Sequence, residues 1–402
     1  MVFSLISRSL RIRMGCSVYA VNVTQNFSSQ SCLSKNDTFK FSDLEVKLKD
    51  ASQKEAKPNI QDVKFGHSFS DHMLEIEWSD EKGWSRPLIS PLHNFSLHPA
   101  SKVFHYAQEL FEGLKAFRSK SGKVLLFRPE LNVERLLNTA ERTALPKFDK
   151  EEFLKCLKKL VSIDKDWVPS SDGSSLYIRP TFIGVEPSLG VAASKTALLY
   201  VITGPVGSYF PTGKEQPVSL YAATHAVRSW PGGVGDKKMG CNYGPTIQVQ
   251  QLAEKQNFQQ ILWLFGEDHQ LVEVGTMNIF VHLMNSSGVQ ELVTPPLDGL
   301  ILPGIVRRSL LELAQTWNEF KVSERKITMQ EVIQARNENR LLEIFGAGTA
   351  CVVCPVGSIS FNDQLITIPN MQSTKSLYHR FLNELQNIQY GVTASPWSVP
   401  VD

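Results

Sequence analysis

The first half of the chain contains apolar residues in both the alternating spacing of strands and the repeating spacing of helices. Positions 73–78 alternate apolar and polar residues, as in a half-buried strand, whereas 196–203 is apolar enough to be buried on both faces. Apolar residues between 151 and 163 recur with the helical period. The predicted strands are 73–78, 176–180 and 196–203, and the predicted helices are 102–115, 131–142 and 151–163.

The second half repeats this mixture after a break that is rich in glycine and proline. Residues 204–213 contain three glycines and two prolines, a density that interrupts regular structure, so we place a domain boundary there. Two short apolar runs joined by 266–270 predict a hairpin. The predicted strands are 218–223, 261–265, 271–274, 277–283 and 350–356, and the predicted helices are 305–317, 329–336 and 376–385.

Strands and helices are mixed in both halves, which predicts an α/β or α+β protein of two domains. The length of 402 residues fits two domains. We expect a small α/β domain over 63–205, an interdomain loop over 206–216 and a large α/β domain over 217–402. The charged and polar residues of 37–62 predict a flexible linker before the small domain.

Residues 1–36 differ from the rest of the chain in composition. They contain Arg8, Arg11, Arg13 and Lys35, no Asp or Glu, and many serines. On a helical wheel their apolar residues share one face and the arginines lie on the other. This profile is typical of a mitochondrial transit segment. We therefore expect a mitochondrial protein, with the cytoplasm as the alternative if the segment is only a disordered tail that lacks acids.

The overall composition excludes several classes of protein. Hydrophobic residues make up 42% and charged residues 20% of the chain, which is a globular balance. The net charge of +2 gives no reason to expect a nucleic-acid or membrane-surface protein, and no apolar run is long enough to span a bilayer. Six cysteines are too few for a disulfide scaffold and indicate a reducing compartment.

A glycine-rich segment at 232–245 contains two adjacent lysines, Lys237 and Lys238. Glycines allow the backbone to approach a ligand, and adjacent residues of an extended segment point to opposite faces. One lysine can therefore reach inward, where desolvation lowers its pKa and lets it form a Schiff base with a carbonyl group. The alternative is a solvated basic turn.

Three further features supply charge or anion-binding groups. Glu273 lies in an apolar strand, where it either faces solvent or pairs with a cation such as a protonated pyridine nitrogen. Residues 302–307 open a helix whose free N–H groups favour phosphate, and 345–350 form a possible backbone nest with a hydroxyl. Neither segment matches a Walker loop or a dinucleotide fingerprint.

The sequence Cys351-Val352-Val353-Cys354 permits three readings. The pair can bind zinc, cycle between dithiol and disulfide, or simply pack in the core. Zinc usually needs a second close pair, and the remaining cysteines are scattered, so we expect no metal. Redox cycling and packing remain open on the motif alone.

A lysine, an isolated carboxylate and two phosphate cradles together are the groups that pyridoxal 5′-phosphate (PLP) needs. The chain resembles the branched-chain amino acid aminotransferases of the PLP fold-type IV class, from about 63–66 to 388–391. The animal enzymes are the most similar, because they carry the Cys-x-x-Cys. The motifs that carry the resemblance are Leu110-Phe111-Glu112-Gly113-Leu114-Lys115-Ala116-Phe117, Glu186-Pro187-Ser188-Leu189-Gly190-Val191, Asn242-Tyr243-Gly244-Pro245, Glu273-Val274-Gly275-Thr276-Met277-Asn278 and Gly348-Thr349-Ala350-Cys351-Val352-Val353-Cys354-Pro355.

The resemblance implies a mixed α/β fold-type IV architecture with the active site between two domains. Lys238 would be the Schiff-base lysine and the acid/base that moves the Cα proton, with Lys237 as its outward neighbour. Tyr243 would hydrogen-bond the ring oxygen of PLP, and Glu273 its ring nitrogen. The groups that would hold the phosphate are Arg135, the backbone N–H groups of Ile305 and Val306, and Thr349.

The resemblance also assigns a substrate pocket, a partner and a switch. The residues that would line the pocket are Tyr106, Phe111, Tyr177, Tyr209, Thr276 and Ala350. Arg179 would meet the distal carboxylate of glutamate, so that one pocket takes apolar and acidic side chains. Val191 would reach into the site of a second subunit, which makes a homodimer the working unit. Cys351 and Cys354 would form a thiol/disulfide switch near the active site.

Three positions depart from the usual pattern of that family. Cys241 replaces a glycine and would cost about 1 kcal/mol if the site needs a positive φ, besides adding a third thiol near the lysine. Lys237 places a second cation beside Lys238, which would lower the Lys238 pKa. Ala347 lacks a hydroxyl often found between the two glycines.

The resemblance implies reversible transfer of the amino group of leucine, isoleucine or valine to 2-oxoglutarate. One alternative is another fold-type IV enzyme, either a D-amino acid aminotransferase or an aminodeoxychorismate lyase. A second alternative is a thiol-redox protein built on Cys351 and Cys354. We expect small-molecule substrates and a second copy as partners, and neither nucleic acid nor membrane.

Overall fold

The computed structural model describes residues 37–208, 216–369 and 375–402. The predicted transit segment at 1–36 and the predicted pocket residue Tyr209 lie outside the described residues. Among the helices of the described residues, none is long and apolar enough to cross a membrane.

The first sheet is built from the segment that the sequence predicts as the small domain, with additions from both sides. Most of its strands are antiparallel, and β8 and β9 pair along their full length. The strands are β1 (Glu45–Val46), β2 (His72–Ser79), β3 (Gly83–Trp84), β4 (Leu88–Pro91), β5 (Glu109–Phe111), β6 (Leu114–Arg118), β7 (Val124–Phe127), β8 (Ser175–Gly184) and β9 (Thr196–Val206).

The second sheet begins at Val218. Its strands are β10 (Val218–Ala223), β11 (Gln260–Phe265), β12 (Gln270–Val274), β13 (Met277–Met284), β14 (Gln290–Thr294), β15 (Lys321–Glu324), β16 (Leu341–Gly348), β17 (Val352–Phe361) and β18 (Gln364–Thr367). The order β12-β11-β10-β17-β16-β13 closes on itself because β13 also pairs with β12. This closure leaves Glu273 directly opposite Asn278, inside the ring of strands.

Seven helices in the described part of the chain cover the sheets. They are α1 (Lys102–Tyr106), α2 (Pro129–Arg142), α3 (Lys150–Ile163), α4 (Thr246–Lys255), α5 (Ile305–Trp317), α6 (Met329–Asn337) and α7 (Leu377–Gln389). The apolar faces of α2 and α3 pack on the first sheet, and those of α5, α6 and α7 pack on the second. Burial of these faces, rather than intrinsic propensity, stabilises most of the helices.

A last strand, β19 (Ser398–Pro400), returns to the first sheet and pairs with β7. The strand order of that sheet is therefore β1-β4-β2-β9-β8-β6-β7-β19, with β3 on β2 and β5 on β8. The predicted interdomain loop separates the end of β9 at Val206 from the start of β10 at Val218. The domain boundaries themselves remain a proposal.

The predicted linker at 37–62 is packed at its start. Phe39 is buried, and its ring lies 5.2 Å from Trp84 and 5.6 Å from Phe148. The following strand β1 pairs in parallel with β4. The polar composition concealed this attachment, because one buried aromatic ring and two paired residues suffice to fix the segment.

The helix predicted over 102–115 is wrong beyond Tyr106. The chain turns there into β5 and β6, although Leu110 and Leu114 have helical spacing. The helix ends at its C-cap residue Ala107, which adopts the left-handed conformation with a φ of 46°, and both following strands pair with β8. The sequence also predicts a glycine-rich turn at 345–350, but Gly346 and Gly348 belong to β16, and the turn follows them.

Candidate active site

Lys238 lies in the loop that precedes a short 3₁₀ helix, Gly240–Asn242, and the backbone of this loop is fixed from both sides. The amide of Asn242 donates to the carbonyl oxygens of Val234 and Lys237, at 2.6 and 2.7 Å. The carbonyl of Lys238 accepts from the backbone N–H of Phe111 at 3.1 Å. These bonds hold the peptide of Lys238, and its side chain points towards Phe111 and Tyr243; the residues around this ammonium form the candidate cleft.

Inside the cleft the Lys238 ammonium faces aromatic rings and a hydroxyl. Nζ lies 3.0 Å from the Tyr243 hydroxyl and 4.7 Å from the centre of the Phe111 ring. Desolvation by burial, followed by the Arg135 guanidinium, lowers the pKa of Lys238 to about 8. Burial, followed by the Glu273 carboxylate, raises the pKa of Tyr243 to about 12. A lysine that deprotonates near neutral pH therefore faces a tyrosine that keeps its proton.

Glu273 is a buried carboxylate whose oxygens are all engaged. One oxygen accepts from the Leu302 backbone N–H at 2.9 Å and from the Asn278 amide at 3.2 Å. The other lies 3.2 Å from Nε of Arg228, which is buried as well. Burial raises the pKa of Glu273, and Arg228 acts in the opposite direction. The strand predicted around Glu273 therefore points this carboxylate inward, towards a cation.

The N-terminus of α5 supplies backbone N–H groups near the same cleft. Ile305 and Val306 occupy its first turn, where N–H groups have no partner within the helix. Gly304 precedes them, and a Cβ there would lie 2.0 Å from Oδ1 of Asn278. Ile305, Val306 and Thr349 line one small cavity. These donors and the positive end of the helix dipole suit a phosphate group.

Arg135 is predicted to meet the phosphate, and the structure gives it a carboxylate partner. Its Nε and Nη2 lie 2.7 and 2.8 Å from the two oxygens of Glu112, which also accepts from the Asn132 amide. Its Nη1 donates to the Pro303 carbonyl at 3.1 Å, beside the start of α5. Burial raises the pKa of Glu112, but Arg135 outweighs this effect and holds it below the usual value. The phosphate role of Arg135 remains a prediction.

The substrate side of the cleft combines aromatic rings with a guanidinium. Tyr177 and Arg179 are two residues apart on β8 and so share a face. Arg179 donates to the Tyr177 hydroxyl at 3.1 Å and lies 4.8 Å from the Phe111 ring, while its Nε has no partner among the described residues. The aromatic rings and the unpaired Nε suit apolar and acidic groups respectively, and the role of these residues in a substrate pocket remains a prediction.

The other predicted pocket residues lie on turns and loops. The Tyr106 hydroxyl donates to the carbonyl oxygen of Leu189, and Val191 on the same loop is 84% exposed. Thr276 is exposed in the turn between β12 and β13. Ala350 is exposed in the turn before β17, where its carbonyl accepts from the Lys115 ammonium at 2.8 Å.

Cys351 and Cys354 are both buried and both free. The Cys351 sulfur lies 3.1 Å from the sulfur of Met277. The hydrogen bond from Cys354 and, more weakly, the Lys115 ammonium hold the pKa of Cys351 below that of an ordinary thiol, whereas the pKa of Cys354 is raised. The described residues contain no cluster of His, Cys, Asp or Glu suited to a metal ion.

Two of the unusual positions act differently from the expectation. Cys241 lies in the 3₁₀ helix at a negative φ, so the condition for strain is not met, and the residue is exposed. Lys237 pairs with Asp236 at 2.8 Å, and the cations that lower the Lys238 pKa are Arg135 and Arg179. Ala347 is buried within β16.

Sequence reasoning missed several residues that shape the cleft. Arg228, Glu112 and Lys115 each act through a partner that is distant in sequence, so no local spacing reveals them. Phe65 was also missed, and its ring stands edge-on 5.0 Å from that of Tyr177. A charged residue within an apolar run, as in Leu114-Lys115-Ala116-Phe117, was the available signal for Lys115.

Comparison with known proteins gives consistent results. Residues 109–359 match the family described as amino-transferase class IV. The chain is 53% identical to the mitochondrial branched-chain-amino-acid aminotransferase of Rattus norvegicus, over 92% of this chain and 93% of that relative. It is 52% identical to the cytosolic form from the same species, over 90% and 88%.

Solved structures agree on the fold. The branched-chain aminotransferase of Thermoproteus uzoniensis with norvaline covers 82% of this chain and 100% of its own, with a TM-score of 0.65 and 23% identity. The Thermobaculum terrenum branched-chain amino acid aminotransferase in its PLP form covers 84% and 100%, with a TM-score of 0.65 and 17% identity.

Proposed function

The chain belongs to the class IV aminotransferases and, within them, to the branched-chain amino acid aminotransferases, and we propose that its cleft residues carry out the reaction of that group. The reaction is reversible transfer of the amino group of L-leucine, L-isoleucine or L-valine to 2-oxoglutarate. The observation that carries the assignment of roles is the placement of Lys238, Tyr243 and Glu273 in one cleft, beside the start of α5.

The residues present fit PLP, which when bound supplies an electron sink for the electron pair left behind as the Cα proton is removed. Glu273 would face the ring nitrogen, because a buried carboxylate that already pairs with Arg228 gains from a second cation. The N–H groups of Ile305 and Val306, with the Thr349 hydroxyl, would hold the phosphate. Tyr243 keeps its proton and can donate it in a hydrogen bond to the ring oxygen.

Lys238 is the residue proposed to bond the cofactor and to move the Cα proton. A general acid/base works best when its pKa lies near the working pH, and burial brings Lys238 to about 8. Its peptide is pinned by Phe111 and Asn242, so the amine reaches the same point in the cleft in each half of a ping-pong cycle.

Arg179 would allow one pocket to accept two kinds of substrate. Its guanidinium lies over the Phe111 and Tyr177 rings and keeps one polar edge free for the distal carboxylate of glutamate. A branched aliphatic side chain would pack against the same rings. Tyr106, Thr276, Ala350 and Tyr209 would complete this pocket.

We propose a homodimer as the working unit. Leu189 and Val191 are 66% and 84% exposed on one loop, and Trp230 is exposed elsewhere. Exposed apolar side chains of this kind mark interaction surfaces, and the loop would cover the substrate pocket of a second copy. Size-exclusion chromatography with light scattering tests this: we expect a dimer, and monomers after Val191→Asp would support the loop as part of the contact.

We propose a mitochondrial location, based on the composition of 1–36. Mitochondrial and cytosolic forms both occur among the similar proteins, so similarity alone does not distinguish the two compartments and the proposal rests on this segment. Fusing 1–36 to a fluorescent reporter tests the proposal, and a reporter confined to the cytosol would contradict it. The Cys351/Cys354 pair would act as a thiol switch in that compartment.

A steady-state assay with L-leucine and 2-oxoglutarate tests the function directly. We expect L-glutamate to form, with visible absorbance from bound PLP in the purified protein. D-Alanine is the control donor, since turnover of the D-amino acid instead would support the D-aminotransferase alternative. A colourless protein without turnover would support the thiol-redox alternative.

A further inference from the structure

Lys102, in the first turn of α1, is a buried lysine that the cleft does not use. Its side chain is 3% exposed, and its Nζ lies within hydrogen-bond distance of three oxygens. These are the carbonyl oxygens of Ala192 and Ala193, at 3.0 and 3.1 Å, and a carboxylate oxygen of Glu186, at 2.7 Å. An ammonium has three N–H donors, so each one has a partner here.

All three partners belong to a single loop, 186–193. The backbone of α1 and the residues before it hold the same loop: the N–H of Lys102 donates to the Glu186 carbonyl at 3.2 Å, and the N–H of Ser188 donates to the Ala100 carbonyl at 3.0 Å. The side chain of Lys102 also holds the pKa of Glu186 below its usual value. The base of the loop is therefore tied to α1 by both backbone and charge.

The tip of the loop is tied to the same helix. Tyr106 follows Lys102 by four residues, so both side chains lie on one face of α1. The Tyr106 hydroxyl donates to the carbonyl of Leu189. Lys102 therefore binds the base of the loop and Tyr106 binds its tip. Together these two side chains of α1 fix the part of the loop that carries Leu189 and Val191.

The chain continues from α1 into the cleft. Strand β5 begins three residues after Tyr106 and ends at Phe111, whose ring packs over Lys238. The loop that presents Leu189 and Val191 outward and the strand that forms the wall of the cleft are therefore joined through one short helix.

We propose that Lys102 is a positioning residue that holds the 186–193 loop in the conformation in which Leu189 and Val191 close the substrate pocket of a second copy. The inference rests on the proposed homodimer and deepens it. Removing the ammonium leaves the Ala192 and Ala193 carbonyls and the Glu186 carboxylate without this donor, so the base of the loop keeps only its backbone bonds to α1 and becomes more mobile.

The test uses Lys102→Met, which keeps the length of the side chain but removes its donors, and Lys102→Arg, which keeps charge and donors. We expect Lys102→Met to raise the KM for L-leucine about tenfold with little change in kcat, because pocket closure is misplaced while the chemistry is intact. We expect Lys102→Arg to restore much of the wild-type KM. Lys120→Met, at an exposed lysine, is the matched control.

Hydrogen exchange measured by mass spectrometry separates this inference from the proposed function. The backbone N–H of Lys195 donates to the Glu186 carboxylate at 3.0 Å, and Lys102 binds the same carboxylate. We expect the backbone N–H groups around Lys195 to exchange faster in Lys102→Met, whether or not leucine is a substrate. Faster exchange with an unchanged KM for leucine would overturn the positioning role. Unchanged exchange would show that Lys102 does not hold the 186–193 loop. Absent turnover in the wild type would count against the proposed function alone.

Discussion

Two lysines of this protein share a pKa of about 8 and differ in the groups that their ammonium ions contact. Lys238, in the loop before the 3₁₀ helix, faces the Tyr243 hydroxyl at 3.0 Å. Lys115, on β6, donates to the Ala350 carbonyl at 2.8 Å. Burial is the largest cause of the lowered pKa in both. The Arg135 cation lowers the pKa of Lys238 further, whereas Cys351 raises the pKa of Lys115 and so opposes burial there.

The comparison teaches that a lowered pKa alone does not make a lysine reactive. Tyr243 gives Lys238 a hydroxyl, which accepts a hydrogen bond from the amine and can itself donate one to a ligand. A carbonyl oxygen only accepts, so Lys115 holds a turn in place. The partner of the ammonium decides between chemistry and anchoring.

The largest expected effect comes from removing the reactive lysine. Lys238→Ala should lower kcat by more than about a thousandfold, because both the covalent attachment and the proton transfer are lost. The adjacent Lys237→Ala is the control, since Lys237 pairs with Asp236, and its kcat should change little. After borohydride reduction, mass spectrometry should find PLP attached to wild-type protein and Lys237→Ala only. An adduct that persists in Lys238→Ala would refute the assignment.

Tyr243→Phe should make Lys238 more like Lys115 by removing a hydroxyl that can donate to a ligand. We expect kcat to fall about a hundredfold, with the pH optimum displaced, because the acid/base amine of Lys238 loses the hydrogen bond that holds it. Tyr390→Phe is a matched control: burial raises the pKa of Tyr390 to about 12 as well, but its hydroxyl donates to the Ser174 carbonyl. It should cost roughly 1 kcal/mol of stability and leave the pH profile unchanged. Equal pH profiles for Tyr243→Phe and Tyr390→Phe would show that the hydroxyl next to Lys238 has no special effect on the reaction.

The lowered pKa of Lys115 should make the free energy of unfolding depend on pH. Its pKa is about 8 in the folded protein and 10.5 in an ordinary lysine. Between these values the unfolded chain binds more protons than the folded one, so the free energy of unfolding rises with pH across this window. As the pH falls towards 8, the buried Lys115 takes up its proton and this gain in the free energy of unfolding disappears. Lys115→Met should flatten this rise in urea unfolding of the holoprotein. A slope identical to that of the wild type would mean that Lys115 is not the titrating group.

The smallest expected effect concerns the backbone that Lys115 anchors. Val352 has a φ of 64°, an unfavourable conformation for a β-branched residue, whereas Val353 has no such strain, and both are buried. Replacement by alanine should therefore cost about 1 kcal/mol less at Val352 than at Val353, because part of the lost packing is offset by relief of strain. Urea unfolding of the two variants measures the difference, and equal costs would show that the turn is unstrained.

The sequence predicted those parts of the site that depend on contiguous residues. The order of glycines around Lys238 and the apolar strand around Glu273 are local patterns, and each left an inward and a solvated placement open. In the structure Glu273 is buried and the Lys238 amine faces Tyr243, while the roles of both remain a prediction. The helix over 102–115 was wrong because the spacing of Leu110 and Leu114 fits a helix equally well, and the pairing of this segment with β8 is a long-range contact that the spacing does not show.

Long-range pairs explain what the sequence did not predict. Arg228 pairs with Glu273, and Arg135 with Glu112, across long stretches of chain, and neither pair has a characteristic spacing. Lys102 gives no sequence signal at all, because an exposed lysine on a helix looks the same until the loop that covers it is known. Burial of a charge is a property of the fold, and it becomes visible when the fold is known.

The pairing of β19 with β7 has a consequence for the order of events during synthesis. Ser398 pairs with Phe127, and the Trp397 carbonyl accepts from the backbone N–H of Arg128, so the edge of the first sheet is covered by a segment that is translated after the whole of the second sheet. While the second sheet is being translated, β7 keeps an open edge that other nascent chains can pair with. A chaperone that shields this edge would matter most during that interval, and a premature stop before β19 would leave an aggregation-prone product.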